Sequence, residues 1–349
     1  MLFKTEDRRM ERLPFFDFLK MFAMFFVLWG HAIQHLQSGE VWGETMHKII
    51  YSFHLPLFMT IAGFFSLSSM NLGLIDILKK KGIQLLLPCV TWGLVLYGVI
   101  FFMNVGTGTI ISYSPFFVFF QHFWFLKSLF VCYFIAYLGN KFFNRLTTWI
   151  FATLIIAHIS STHQIPIMYC CFMTGLLIRK YFGLFKNNYK LMTAISGIVF
   201  FSILIITTGN LPLKGINLID VVRSNSILLY DLNYVNKIAA SISSSIFFIG
   251  LFYWLSQNTI FNNYIAGSQL TDIGKYTLGI YILQSIILET VMAEYIKVDS
   301  WGGIFSSLDF DIYIFFPFLS FVVLVVCAYL TKKIEKYPLL GFWLLGVKK

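Results

Sequence analysis

The chain has 349 residues, of which 58% are hydrophobic, only 12% are charged and 40 are phenylalanine. A soluble domain is about 25% charged, so this composition excludes a soluble catalytic or binding domain as the body of the protein. The formal net charge of +10 does not point to nucleic acid. The basic residues sit in short caps between apolar runs, where membrane topology and inner-leaflet lipid account for them.

Apolar runs of about 17–25 residues are the unit from which spanning helices are counted. They predict helices near residues 13–36, 48–70, 82–103, 115–139, 148–160, 165–180, 190–208, 238–257, 274–295 and 311–331. The first run is too long for a signal peptide and no small-residue cleavage site follows it, so a retained first helix is expected. The fifth and sixth runs are the weakest, the former short and the pair separated by Ser160-Ser161-Thr162-His163.

With the N-terminus placed inside, nineteen Lys and Arg fall in inner segments and five in outer ones. The expectation is therefore an all-α polytopic membrane protein of about ten transmembrane helices, with both termini cytoplasmic and a multi-pass location in the inner (plasma) membrane. It reads as one membrane domain over residues 1–349, with no soluble extension. The longest loop, residues 209–237, is expected outside, with Asp220, Arg223 and Asp231 among apolar neighbours. A loop of that length is often a binding element.

The five cysteines, Cys89, Cys132, Cys170, Cys171 and Cys327, all lie within apolar runs. No CxxC or Cys/His spacing is present, and they read as small buried or lipid-facing side chains.

Ionisable groups inside spanning helices are costly and by default functional. The first helix carries three: Asp17, Lys20 and His31. At about 100° per residue, Lys20 and His31 fall within about 20° of one face, roughly 16 Å apart along the axis, with Asp17 close by. On the topology above, His31, His54, His122 and Glu289 lie in the outer half, Lys127 and Gln284 nearer mid-depth, and Asp17, Lys20, Lys81 and Gln84 toward the inside. Polar groups at matching depths on several helices avoid lipid by facing one another, which predicts a cavity crossing the membrane.

Plainer readings stand beside these. His54 serves equally as a partner for a backbone carbonyl beside Pro56, His122 as an interfacial residue next to Trp124, Lys127 as a structural bridge to Glu289, and Lys79 to Lys81 as topology signals. His158 and His163 are expected near a solvated loop. His31 and His35 have the i, i+4 spacing of a metal pair, but no further ligand is visible and no metal site is expected. Nucleotide loops, a GxSxG elbow and HExxH are absent from the sequence.

These residues resemble the membrane-bound acyltransferase-3 family. Asp17, Lys20 and His31 are similar to its first-helix signature, and SFHLPLFMTIAGFF, containing His54, Pro56, Phe58 and Gly63, to its second. KGIQLLLP from Lys81, HFWFLKSLF from His122 and IGKYTLGIYILQ ending at Gln284 follow in the family's order. Two positions depart from it. Gln84 replaces the second of a basic pair, and Gln284 stands where His is common and cannot be a base.

The resemblance implies transfer of an acyl group, usually acetyl from acetyl-CoA, to a sugar hydroxyl of a surface polysaccharide or lipid-linked glycan. Acyl-CoA, a glycan or glycolipid acceptor and membrane lipid are then the expected partners, with no bound cofactor. His31 is the expected general base, since imidazole titrates near neutral pH. His54 or His122 would orient the acceptor or donate to the oxyanion. Lys20, Lys81 and Gln84 would meet the donor, while Asp17, Lys127, Gln284 and Glu289 orient. A transporter with a midplane site, or an acyltransferase using another donor such as succinyl-CoA, are the competing expectations.

Overall fold

The computed structural model describes residues 13–37, 45–107, 122–159, 164–207, 227–295 and 310–347, and among these every regular element is a helix. In chain order they are α1 (Pro14–Leu36), α2 (Thr45–Phe64) with a 3-10 turn (Leu67–Asn71), α3 (Leu74–Lys81), α4 (Leu87–Thr107), α5 (Trp124–Phe142), α6 (Leu146–Ile159) and α7 (Ile165–Lys180). There follow α8 (Phe182–Ile206), α9 (Ile227–Ser256), α10 (Thr259–Gly267), α11 (Gln269–Ile273), α12 (Thr277–Ile286), α13 (Phe316–Glu335) and α14 (Pro338–Leu345).

Each of the ten expected segments holds a helix. Among the described residues, six are long and apolar enough to cross a membrane: Pro14–Leu36, Leu74–Met103, Phe182–Ile206, Leu232–Ser256, Thr277–Tyr295 and Asp311–Glu335. At 14 residues, α6 is about 21 Å long, short of the roughly 30 Å hydrocarbon core.

The expected loop at 209–237 needs correction. Residues 227–237 already belong to α9, and Lys237, expected in the loop, is buried on that helix. Asp231 also sits on α9. Asp220, Arg223, His163 and the basic N-terminal segment lie outside the described residues.

The chain divides into two compact units, one of residues 1–23, 43–73 and 131–275, the other of residues 24–42, 74–130 and 276–349. α1 contributes its N-terminal half, with Asp17 and Lys20, to the first and its C-terminal half, with His31, to the second.

In the first unit, Phe15, Phe16, Leu19, Phe64, Phe182, Phe185 and Phe252 belong to one buried cluster. α2 and α7 pack backbone to backbone through reciprocal glycines. A Cβ on Gly63 would lie 1.9 Å from the Phe172 carbonyl oxygen, and one on Gly175 would lie 1.8 Å from that of Thr60. Small residues permit such close approach where helices pack in lipid. After α2, carbonyls at the end of the 3-10 turn find side-chain donors on α5: Tyr137 Oη donates to Leu72 O at 3.0 Å, and Asn140 Nδ2 to Met70 O at 3.2 Å. This satisfies groups a helix end otherwise leaves open. α10 starts at Asn258, whose Oδ1 accepts from the Ile260 and Phe261 amides, as an N-cap should.

Among the described residues, the second unit contains three π-helical segments: Gly82–Leu86 between α3 and α4, Ile287–Met292 after α12, and Asp311–Phe315 before α13. Single π turns inside α-helices recur at functional sites. Trp29 Nε1 on α1 donates to Ile312 O at 2.9 Å in the last of these. The start of α4 is held by α14. Thr91 Oγ1 donates to Trp343 O at 2.8 Å and Trp92 Nε1 to Leu344 O at 2.7 Å. The chain then turns at Gly346, whose φ is 64° and where a Cβ would meet Ile83 O at 2.3 Å.

Large apolar side chains remain exposed along α8 (Leu191, Ile195, Ile198, Ile205) and α13 (Phe318, Val322, Val325, Tyr329). On a soluble protein such stripes would be unusual; on helices with internally satisfied backbones they form the lipid-facing surface.

Candidate active site

The second unit gathers a polar cluster around Glu289. The carboxylate sits on the π segment after α12, and the i→i+5 register of that turn decides what it meets. In a regular α-helix, residues five apart are about 140° apart around the axis. Here Gln284 Nε2 donates to Glu289 Oε1 at 2.7 Å, and Thr290 Oγ1 donates to Ser285 O at 3.0 Å, both across five residues. Ser285 Oγ donates to the other oxygen, Oε2, at 3.1 Å.

His31, from α1, completes the group, with Nδ1 lying 2.9 Å from Glu289 Oε1. The side chains are 17% and 11% exposed, so the pair is largely desolvated yet reachable. A carboxylate only accepts, so a hydrogen on His31 Nδ1 facing Glu289 would leave the basic lone pair of the neutral ring on Nε2. His35, one turn along α1, stacks on His31 with centroids 5.8 Å apart and rings 6° from parallel. His122, in the turn before α5, stands within electrostatic reach of Glu289 and His35.

The expectation for Lys127 left a bridge to Glu289 open; the carboxylate has His31 Nδ1 at 2.9 Å, and Lys127 stands within electrostatic reach of Cys89 of α4. Gln284 is fully buried. It cannot titrate, and its place is that of a donor fixing the carboxylate.

Also in the second unit, Lys81 is buried at 7% exposure, and its Nζ donates to Gln84 Oε1 at 3.1 Å. Gln84 lies in the π segment and is exposed. The two thus form a cation with an amide tether, where the family's pattern would set two cations in repulsion.

In the first unit, Lys20 Nζ lies 3.0 Å from Asp17 Oδ1 and 5.3 Å from the Phe65 ring centroid. Asp17 is fixed by its backbone as well. A Cβ on Gly274 would come 1.8 Å from Asp17 O, so the start of the IGKY segment is pressed against the first-helix signature.

His54 is fully buried on α2, with Nδ1 2.6 Å from Ile50 O. That bond to a carbonyl puts the hydrogen on Nδ1, matching the plainer reading of this residue, though the carbonyl lies one turn before the ring. His158 departs from the solvated expectation. Its Nδ1 donates to Leu154 O at 2.8 Å, and its Nε2 accepts from Tyr234 Oη at 2.9 Å.

Ser285 and Lys237 escaped the sequence reading. Lys237 is 4% exposed and donates to Tyr51 O at 2.9 Å; a charge just ahead of the run predicted as the helix near 238–257 made it look like a loop residue. For Ser285 the signal was present, since it lies four residues before Glu289.

The apolar helices long enough to cross a bilayer, with their exposed apolar faces, are those of an integral membrane protein. The family described as an acyltransferase domain (Acyl_transf_3) matches residues 13–332, and the chain belongs to it. Among curated proteins, it is 31% identical over 150 residues to nodulation protein NolL of Mesorhizobium japonicum, a stretch covering 41% of this chain and 39% of that one. To nodulation protein NolL of Sinorhizobium fredii it is 27% identical over 143 residues, covering 39% of this chain and 38% of the relative. The chain thus spans about two fifths of the length of each of these relatives. No solved structure matches it.

Proposed function

We propose that the protein is a membrane O-acyltransferase that moves acetyl from cytoplasmic acetyl-CoA to a hydroxyl of an envelope polysaccharide or lipid-linked glycan. The observation that carries this reading is the His31–Glu289 pair at 2.9 Å, with Gln284 and Ser285 fixing the carboxylate.

The acceptor hydroxyl must lose its proton as its oxygen attacks the thioester carbonyl. His31 Nε2 takes that proton. The imidazolium that forms is stabilised by Glu289 across Nδ1, the role a buried carboxylate plays behind any catalytic histidine. The proton then passes to the departing CoA thiolate. A positioned base contributes about 10²–10⁴-fold. In this reading His122, within electrostatic reach of the same carboxylate, donates to the oxyanion.

In this reading ten helices cross the inner membrane with both termini cytoplasmic. The Lys20 end of α1 meets CoA from the inside, while His31 meets an acceptor arriving from the outside; Lys81 and Gln84 are read, each on its own, as donor-facing residues. Asp17 holds Lys20 rather than taking part in the chemistry.

The test is release of CoA thiol together with transfer of label from acetyl-CoA to candidate glycans, using the full chain in detergent. His31→Ala is expected to insert and fold yet transfer no acetyl above background. Wild-type-like transfer by that variant would remove His31 from the mechanism.

A further inference from the structure

The His31–His35 pair has metal-ligand spacing on one helix face, and the sequence showed no third ligand. The fold supplies one from 254 residues beyond His35. One ligand atom each from His31, His35 and Glu289 lies within 4.8 Å of the others. Two imidazoles and a carboxylate are the protein donor set of open zinc sites, with Zn–N about 2.0–2.1 Å and Zn–O about 2.0–2.2 Å. At those bond lengths, tetrahedral ligand atoms sit roughly 3.3 Å apart. The His31 Nδ1–Glu289 Oε1 separation of 2.9 Å needs to open slightly, and the wider pairs need to close by small side-chain rotations.

The carboxylate's outer partners are in place too. Gln284 and Ser285 donate to its two oxygens, as groups that orient a metal ligand do. α1 contributes both histidines four residues apart on one face, so the site needs only one long-range contact, which the π turn at Glu289 provides.

We propose that His31, His35 and Glu289 form a binding site for a divalent transition metal of the zinc type, and that its occupancy shuts off the proposed base. The inference rests on the reading of His31 as base. With Nδ1 as the ligand atom, metal occupies the place a proton there would take. In the neutral ring that proton moves to Nε2, so no proton is released; from imidazolium, one is. Either way Nε2 becomes N–H and has no lone pair for the acceptor hydroxyl, and Glu289 is spent on the metal. Acyl transfer and metal binding at this cluster are mutually exclusive.

The experiment uses the full chain in detergent, purified by a tag without histidine and stripped with chelator. Zinc is counted after desalting, cobalt(II) is added to read tetrahedral visible bands, and thermal unfolding checks the fold of each variant. The expected result is one zinc per chain, cobalt bands, and transferase inhibition that chelator reverses. His35→Gln and Glu289→Gln should each weaken binding at least about tenfold, since even outer-sphere partners are worth about 10–100-fold. For His35→Gln the zinc concentration giving half inhibition, relative to that variant's own uninhibited rate, should rise by a similar factor.

No stoichiometric zinc on the wild type, unchanged zinc binding in both folded variants, or zinc that binds without inhibiting would overturn the proposal. The base reading fails separately. An inactive His31→Gln with no metal on the wild type keeps the base and removes the metal. A fully active His31→Gln with metal bound to the wild type keeps the metal and removes the base.

Discussion

Replacing Glu289 with glutamine changes one oxygen to an amide at nearly constant volume. What it removes is the charge that faces His31 when the ring becomes imidazolium. The groups approach to 2.9 Å and their side chains are only 17% and 11% exposed. Taking the charge centres about 4 Å apart and an effective dielectric near 20, the lost interaction is about 4 kcal/mol. At 1.36 kcal/mol per factor of ten, that is roughly a 10³-fold slower chemical step. Loss of tautomer control acts in the same direction, because an amide can present N–H to Nδ1 and reverse the ring's proton. The corresponding change in a serine-protease triad costs about 10⁴ in kcat.

The expectation for Glu289→Gln is therefore a fall of about 10³ in kcat, with the KM for acyl-CoA close to wild type. The assay follows thiol release and labelled transfer at several donor concentrations, with thermal unfolding to show that the variant is folded. A folded variant that loses less than tenfold, or whose loss is confined to the donor KM, would refute the pairing of Glu289 with the base.

Lys20→Ala should raise the KM for acyl-CoA while leaving kcat within a few-fold, since the side chain is proposed to meet the donor away from the reacting hydroxyl; an unchanged donor dependence in the same titration would count against it. Gly175→Leu should lower the thermal midpoint and the yield of folded protein, because its Cβ would lie 1.8 Å from Thr60 O, backbone that cannot move aside without parting α2 from α7. Overpacking costs about 1–3 kcal/mol, and a variant unfolding within a degree of wild type would contradict that contact.

The class of the protein was legible residue by residue. Long apolar runs have one stable form in a bilayer, because each backbone amide must be satisfied within its own segment; helix existence therefore followed from hydropathy alone. The polar stripe on α1 was equally legible, since Lys20 and His31 are placed on one face by helical period and nothing else. The failures occurred where period stopped being informative. Lys237 looked like a loop residue because a charge at the end of an apolar run marks a boundary, unless a carbonyl such as that of Tyr51 receives it.

The site itself belonged to the tertiary structure. Sequence placed His31 and Glu289 on different helices at similar depth and could equally pair Glu289 with Lys127. Which partner the carboxylate meets depends on a π turn that rotates Glu289 onto the side of Gln284. That turn is a local departure from the 100° period on which every face assignment rests. Composition and period thus determined that a membrane helix carries Asp17, Lys20 and His31 along one face. Only the packing of α1 with the segment after α12 decided that His31 faces a fixed carboxylate, with His35 stacked beside it.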